Sequence, residues 1–137
     1  MILVDSSVWI DFFGSRPGHA GNELGRLIDA SEPLVLTGII AVEILQGLTH
    51  DIEQIEQFLA SWDWIEPHGL SSYRHAAAIS RLARGKGVTL TTIDSLIAVI
   101  AIEHGARLFT LDHDFAHIAR LTRLKLYSPS GTHSSRP

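Results

Sequence analysis

Short apolar runs alternate with amphipathic stretches along this chain, and charges or hydroxyls close most of the runs. Met1 to Asp5 is a short Ile- and Val-bearing run ended by a charge and two serines, which predicts a buried strand. Ser6 or Ser7 can then cap a short helix carrying Val8, Trp9, Ile10, Phe12 and Phe13. Gly14 to Gly21 predicts a loop from its Gly and Pro content. Helical spacing at Leu24, Leu27 and Ile28 follows, and Pro33 leads into a second strand, Leu34 to Thr37. Gly38 to Leu48 and about Asp51 to Ser61 repeat apolar residues at three and four, which predicts two helices. Trp64 to Pro67 is a candidate third strand. Ser71 or Ser72 opens a helix stopped by Gly85-Lys86-Gly87, and Thr91 or Thr92 caps the most apolar helix, Ile93 to His104, with Gly105 behind it. Arg107 to Leu111 predicts a strand, Phe115 to Leu121 a helix, and Leu124 to Tyr127 a last strand.

Strands alternating with helices predict an α/β fold, with a parallel sheet covered on both faces. A helix as apolar as Ile93 to Ile102 must be buried nearly all round. At 137 residues one domain is expected, spanning residues 1–127, with 128–137 as a polar, disordered tail. No apolar run reaches the roughly 18 residues a membrane span needs, and Asp5 and Asp11 come too early for a signal segment. The absence of cysteine excludes disulfides and thiolate-bound zinc, so a cytoplasmic protein is expected.

Four acids interrupt apolar surroundings: Asp5, Glu43, Asp94 and Asp112. A carboxylate almost never enters a core unpaired, because taking its charge out of water costs several kcal/mol or more. Four such interruptions suggest one pocket, and carboxylates held together need a cation. Asp5 and Asp112 each follow a strand, the edge where open parallel sheets bind ligands. The net charge of −4 decides little, since outside these four acids the remaining eleven balance the eleven Lys and Arg. Each acid also has a structural explanation. Asp5 could cap the helix after it, Glu43 could be a surface residue, and Asp94 sits where the helix dipole favours a carboxylate. Asp112 and Asp114 compete for one role, with Asp112 preferred.

Ser6 and Ser7 either cap a helix or orient Asp5. His113 and His117 near the fourth acid read as exposed polar residues. Arg81, Arg84 and Lys86 complement a helix dipole or meet a phosphate backbone. Trp62 and Trp64 read as core, or else as part of a partner groove.

The motifs Val4-Asp5-Ser6-Ser7-Val8-Trp9-Ile10, Ala41-Val42-Glu43-Ile44-Leu45-Gln46-Gly47, Thr92-Ile93-Asp94-Ser95-Leu96-Ile97-Ala98 and Thr110-Leu111-Asp112-His113-Asp114-Phe115, in this order, resemble the PIN-domain ribonucleases. More narrowly they resemble the VapC toxins of type II toxin–antitoxin pairs, from Ile2 to about Tyr127. The resemblance implies a PIN-like three-layer sandwich with a central parallel sheet of four or five strands. It implies cleavage of RNA dependent on Mg²⁺ or Mn²⁺, with Asp5, Asp94 and Asp112 as direct ligands and Glu43 binding through water or orienting the nucleophilic water. It further implies a homodimer bound to a VapB-like antitoxin, whose tail would cross apolar grooves near Trp9, Phe12 and Phe13 and bring an Arg toward the carboxylates. A second hypothesis is a catalytically silent PIN-like module that dimerises and binds an antitoxin; the complete acid set argues against it. A phosphoryl-handling enzyme or receiver domain is weaker, since Ser7 stands where a dehalogenase-type phosphatase needs a second Asp.

Overall fold

Ile2, Leu3 and Val4 are all buried, as a strand covered on both faces requires. They form β1 (Ile2–Val4) in the computed structural model, which describes residues 1–129. The chain continues through α1 (Ser6–Phe13), α2 (His19–Asp29), β2 (Leu34–Leu36), α3 (Gly38–Gln46), α4 (Ile52–Ala60) and β3 (Asp63–Trp64). It returns through α5 (Leu70–Gly85), α6 (Thr92–His104), β4 (Arg107–Phe109), α7 (Asp114–Leu121) and β5 (Lys125–Leu126). The five strands form one parallel sheet in the order β3-β2-β1-β4-β5.

That order divides the helices. The first two crossovers step one way along the sheet, and the later ones step back past β1. Right-handed connections therefore put α1 to α4 on one face and α5 to α7 on the other. The packing agrees, with α1 against α2 and α3, α3 against α4, and α5 against α6 and α7. The result is the expected three-layer sandwich. The chain leaves β1 toward β2 and leaves β4 toward β5, so the topological switch point is the crevice at the carboxyl ends of β1 and β4.

A single buried cluster runs from Ile2 to Leu124. Ile97 to Ala101 of α6 are all buried, and Gly105 ends the helix with φ +67 in the left-handed conformation glycine tolerates. Trp9 is buried among Phe12, Phe13, Phe58 and Trp62, with ring centroids 5.7 to 6.2 Å away. Trp62 is thus a core-side residue and Trp64 is exposed. Trp9 itself is closed to a partner, while Ile10 beside it is open and lines, with Phe13, an apolar groove.

Several boundaries differ from the sequence expectation. Residues 19–21 belong to α2, because the Asp11 carboxylate accepts from Gly18 N (3.0 and 3.1 Å) and Gly21 N (2.7 Å) and so caps that helix from α1. The two helices pass so closely that a Cβ on Gly21 would stand 2.9 Å from Phe12 N. Asp5, not Ser6 or Ser7, is the cap of α1. The third strand lies one residue earlier than expected, at Asp63–Trp64. Helix α5 begins at Leu70 behind Gly69 (φ +76), while Ser72 turns inward and donates to Glu103 Oε1 at 2.5 Å. Among the described residues no helix is long and apolar enough to cross a membrane. The tail expected from residue 128 falls, from 130 onward, outside the described residues.

Candidate active site

Asp5 stands immediately past β1 and is almost fully buried, 5 % exposed. Its oxygens are nonetheless well supplied: Oδ1 accepts from Ser6 N at 2.9 Å, and Oδ2 from Ser7 Oγ at 3.1 Å and Thr110 Oγ1 at 2.7 Å. Burial pushes the carboxyl above the usual aspartate range, those three donors pull it back, and the charge of Asp112 raises it again. Ser7 therefore orients Asp5, which the sequence left open against capping. Ser7 Oγ also accepts from Leu111 N at 3.1 Å, and Thr110 Oγ1 accepts from Asp112 N at 3.0 Å. Two hydroxyls thus tie the ends of β1 and β4 together around one carboxylate.

The other acids arrive on helices. Thr91 caps α6, accepting from Asp94 N at 3.0 Å, and so fixes the first turn that carries Asp94. Asp94 is raised to about 6, first by burial and then by the negative charge of Asp112, with smaller contributions from Asp5 and Asp114. Glu43, half-buried on α3, accepts from Ser6 Oγ at 3.1 Å. Burial raises it most; the Ser6 bond lowers it and the charge of Asp5 raises it.

Asp94, Asp112 and Asp114 each offer a carboxylate oxygen, and the three lie within 4.8 Å of one another. Asp112 Oδ1 also accepts from Asp114 N at 2.9 Å, an Asx-type turn that starts α7. Asp5 and Glu43 lie outside that trio and join it through charge and through Ser6, Ser7 and Thr110. Asp112 and Asp114, expected to compete for one position, both reach it. The part played by Thr110 is not legible in the sequence, because a threonine at a strand end signals nothing unless its partner across the sheet is known. His117 pairs with Arg120 at 2.8 Å, consistent with a surface role.

A family model described as PIN domain matches residues 2–121. The chain belongs to the PIN-domain family. Among curated relatives, this PIN domain is 36% identical over 132 residues to a VapC ribonuclease of Mycobacterium bovis, covering 93% of this chain and 98% of that one. The ribonuclease VapC11 of Mycobacterium tuberculosis matches with the same identity and coverage. Among solved structures, VapBC2 from Rickettsia felis bound to a promoter DNA fragment shares the fold with a TM-score of 0.71 and 21% identity, over 93% of this PIN domain and 98% of that chain.

The donor set suits a hard cation. It is all oxygen, carries several negative charges and includes no thiolate, which favours Mg²⁺- or Mn²⁺-like ions over soft ones. Ligands on opposite sides of an octahedral Mg²⁺ stand roughly 4.2 Å apart, within the spacing of the Asp94, Asp112 and Asp114 oxygens. The carboxyls of Asp94, Asp5 and Glu43 are all raised, by burial first and by neighbouring acids second, and a bound cation would offset both.

Proposed function

We propose that this PIN domain, residues 1–127, is a Mg²⁺- or Mn²⁺-dependent endoribonuclease acting in the cytoplasm as the toxin of a toxin–antitoxin pair. The observation that carries this is the convergence of Asp94, Asp112 and Asp114 oxygens beside Asp5, at the carboxyl ends of the two central strands. VapC ribonucleases 36% identical over nearly the whole chain support the substrate class.

Asp5, Asp94 and Asp112 would hold the ion directly, with Asp114 adding an oxygen next to them. A bound ion would supply Lewis-acid polarisation of a phosphoryl oxygen and a more acidic water. The protein's own part is positioning. Ser7 and Thr110 fix the Asp5 carboxylate in one orientation, and Thr91 fixes the turn bearing Asp94. Glu43, with Oε1 held by Ser6, would use its other oxygen to orient a water for attack on phosphorus or to take up its proton.

The partner would be an antitoxin bound to a homodimer. A groove of about 270 Å³ between α1, α3 and α4, lined by Ile10, Phe13, Ile44, Leu48 and Ile55, suits an apolar antitoxin segment. An antitoxin arginine reaching the carboxylates would satisfy the same charge as the metal, so the two would compete. Incubating the pure protein with RNA in Mg²⁺, Mn²⁺ or EDTA tests the activity. Internal cuts with either ion, abolished by EDTA and by Asp94→Asn, are expected; cutting that persists in EDTA would contradict it.

A further inference from the structure

The charges of this acidic protein are segregated. Between Glu66 and Asp94 there is no acid, yet that stretch carries Arg74, Arg81, Arg84 and Lys86. Helix α5 carries Arg74, Arg81 and Arg84 of these, with Lys86 just past its end, and α5 packs along α6, the helix that bears Asp94. Tyr73, Ser80, Arg81 and Arg84 recur at intervals of three, four and seven, so they share one face of α5.

Between that face and the start of α6 lies a cavity of about 400 Å³, within the size range of small-ligand sites. Tyr73, Ser80, Arg81 and Arg84 line it from α5, and Thr92 and Ser95 from α6. Thr92 stands two positions before Asp94 and Ser95 one after it, so the cavity reaches the helical turn that holds the acid. Its chemistry is mixed in a telling way. Tyr73, which lines the cavity, is half exposed, so its aromatic ring is accessible there. Arg81 and Arg84 are exposed, and among the described residues neither is in an ion pair. Ser95 is 2 % exposed, and its Oγ is buried with no hydrogen-bond partner. Leaving such a hydroxyl unsatisfied costs stability, so a retained one that lines a cavity marks a place for a ligand's polar atom.

We propose that this cavity is a nucleotide subsite: it takes the unpaired nucleotide next to the scissile phosphate, with the base on Tyr73, the flanking phosphates on Arg81 and Arg84, and a base or ribose polar group on Ser95 Oγ. The inference rests on the ribonuclease activity proposed above and adds how the RNA is held. An aromatic face stacks only on a base that is not already stacked in a duplex, so the substrate is single-stranded at this position. The arginines also resolve an electrostatic difficulty, since a pocket of carboxylates repels the polyanion it is meant to cut. A phosphate-binding stripe beside it supplies the attraction.

The test is steady-state cleavage of a fluorogenic single-stranded RNA in Mn²⁺, over a salt series, with thermal melts and sedimentation of each variant. Arg81→Gln/Arg84→Gln should raise KM tenfold or more while kcat changes less than about threefold, and should flatten the salt dependence of log KM by about 0.7 for each phosphate no longer neutralised. Tyr73→Ala should raise KM several-fold. Ser95→Ala should raise KM while leaving the melting temperature equal or higher, because the buried hydroxyl it removes has no partner in the free protein. Arg107→Gln, at the opposite end of the sheet, should change neither KM nor salt slope. A wild type that cuts RNA with the same KM and salt slope as Arg81→Gln/Arg84→Gln would overturn the subsite and leave the nuclease standing. A wild type that cuts no RNA with either ion would remove both. Dissociation of a dimer by the same double variant would make the groove an interface between copies and overturn the RNA assignment.

Discussion

Thr110 holds Asp5 across the seam between β1 and β4: its Oγ1 donates to Asp5 Oδ2 at 2.7 Å while accepting from Asp112 N at 3.0 Å. One hydroxyl thus sets the orientation of one acid and the backbone of another. The two residues are 105 apart in sequence and meet because β1 and β4 pair in register from Ile2–Arg107 to Val4–Phe109.

Thr110→Val keeps the shape but removes both bonds. It should leave Asp5 with one donor fewer and raise its carboxyl further, because the Thr110 bond is the largest of the influences lowering it. A stability loss of about 1–3 kcal/mol is expected for the buried partners left unsatisfied, with RNA cleavage falling on the order of tenfold or more. Thr110→Ser should restore most of both. Urea melts and initial rates on the two variants check this, and a Thr110→Val protein as active as wild type would deny the hydroxyl a positioning role.

Asp11 provides a contrast, as an acid with a purely structural task. Asp11→Ala removes the acceptor for Gly18 N and Gly21 N at the start of α2. It should cost about 1–2 kcal/mol, in the range of lost helix caps, while leaving kcat within about twofold at a temperature where the variant is folded. Chemical denaturation and cleavage assays read both quantities.

Acidity separates the site from the rest of the fold. Asp94 titrates at about 6 in the folded protein against an ordinary aspartate value of 3.8, and Asp5 and Glu43 are also raised. Through these three groups the folded state binds more protons than the unfolded chain between about pH 4 and pH 6, while the lowered carboxyls of Glu23 and Glu103 act the other way only at the acid end of that window and below it. Where that holds, metal-free stability falls as pH rises through the window, the reverse of an acid held by a salt bridge. Melting temperatures in EDTA should drop from about pH 4.5 to pH 6.5, and saturating Mn²⁺ should erase or invert the trend by favouring the ionised forms. A metal-free melting temperature that climbs steadily over that range would contradict the burial and crowding that raise these carboxyls.

Much of this was legible from periodicity and punctuation. The buried runs at Ile2–Val4 and Leu34–Leu36, the apolar α6 and the left-handed Gly105 each carry their signal within a few residues. Asp5, Glu43, Asp94 and Asp112 stood out because a charge in an apolar run demands an explanation. What local sequence could not carry is contact between distant segments. The cap that starts α2 at His19 comes from Asp11, eight positions earlier on another helix. The donors to Asp5 include a threonine just past β4, and Asp114 joins Asp94 only once α6 and α7 are packed. The groove expected near Trp9, Phe12 and Phe13 likewise could not be resolved residue by residue, since only the packing of Phe58 and Trp62 on Trp9 closes that ring while Ile10 and Phe13 stay at the groove.

The central claim is that these acids are gathered to hold a cation for cutting RNA, and Asp94→Asn tests it most directly. The substitution preserves the side chain's shape, and the Thr91 cap bonds the Asp94 backbone N–H rather than its carboxylate. Removing one charge relieves repulsion from Asp112, Asp5 and Asp114. Because Asp94 is only half-buried and partly screened by solvent, the relief is on the order of 1 kcal/mol, a gain of about 2–6 °C in melting temperature for a domain of this size. The decisive measurement pairs that melt in EDTA with cleavage of RNA in Mn²⁺. The predicted result is a variant that melts at the same or a higher temperature and cuts at least about 100-fold more slowly. A variant that melts several degrees lower in EDTA and still cuts RNA at the wild-type rate would show that Asp94 supports the fold and not a metal site.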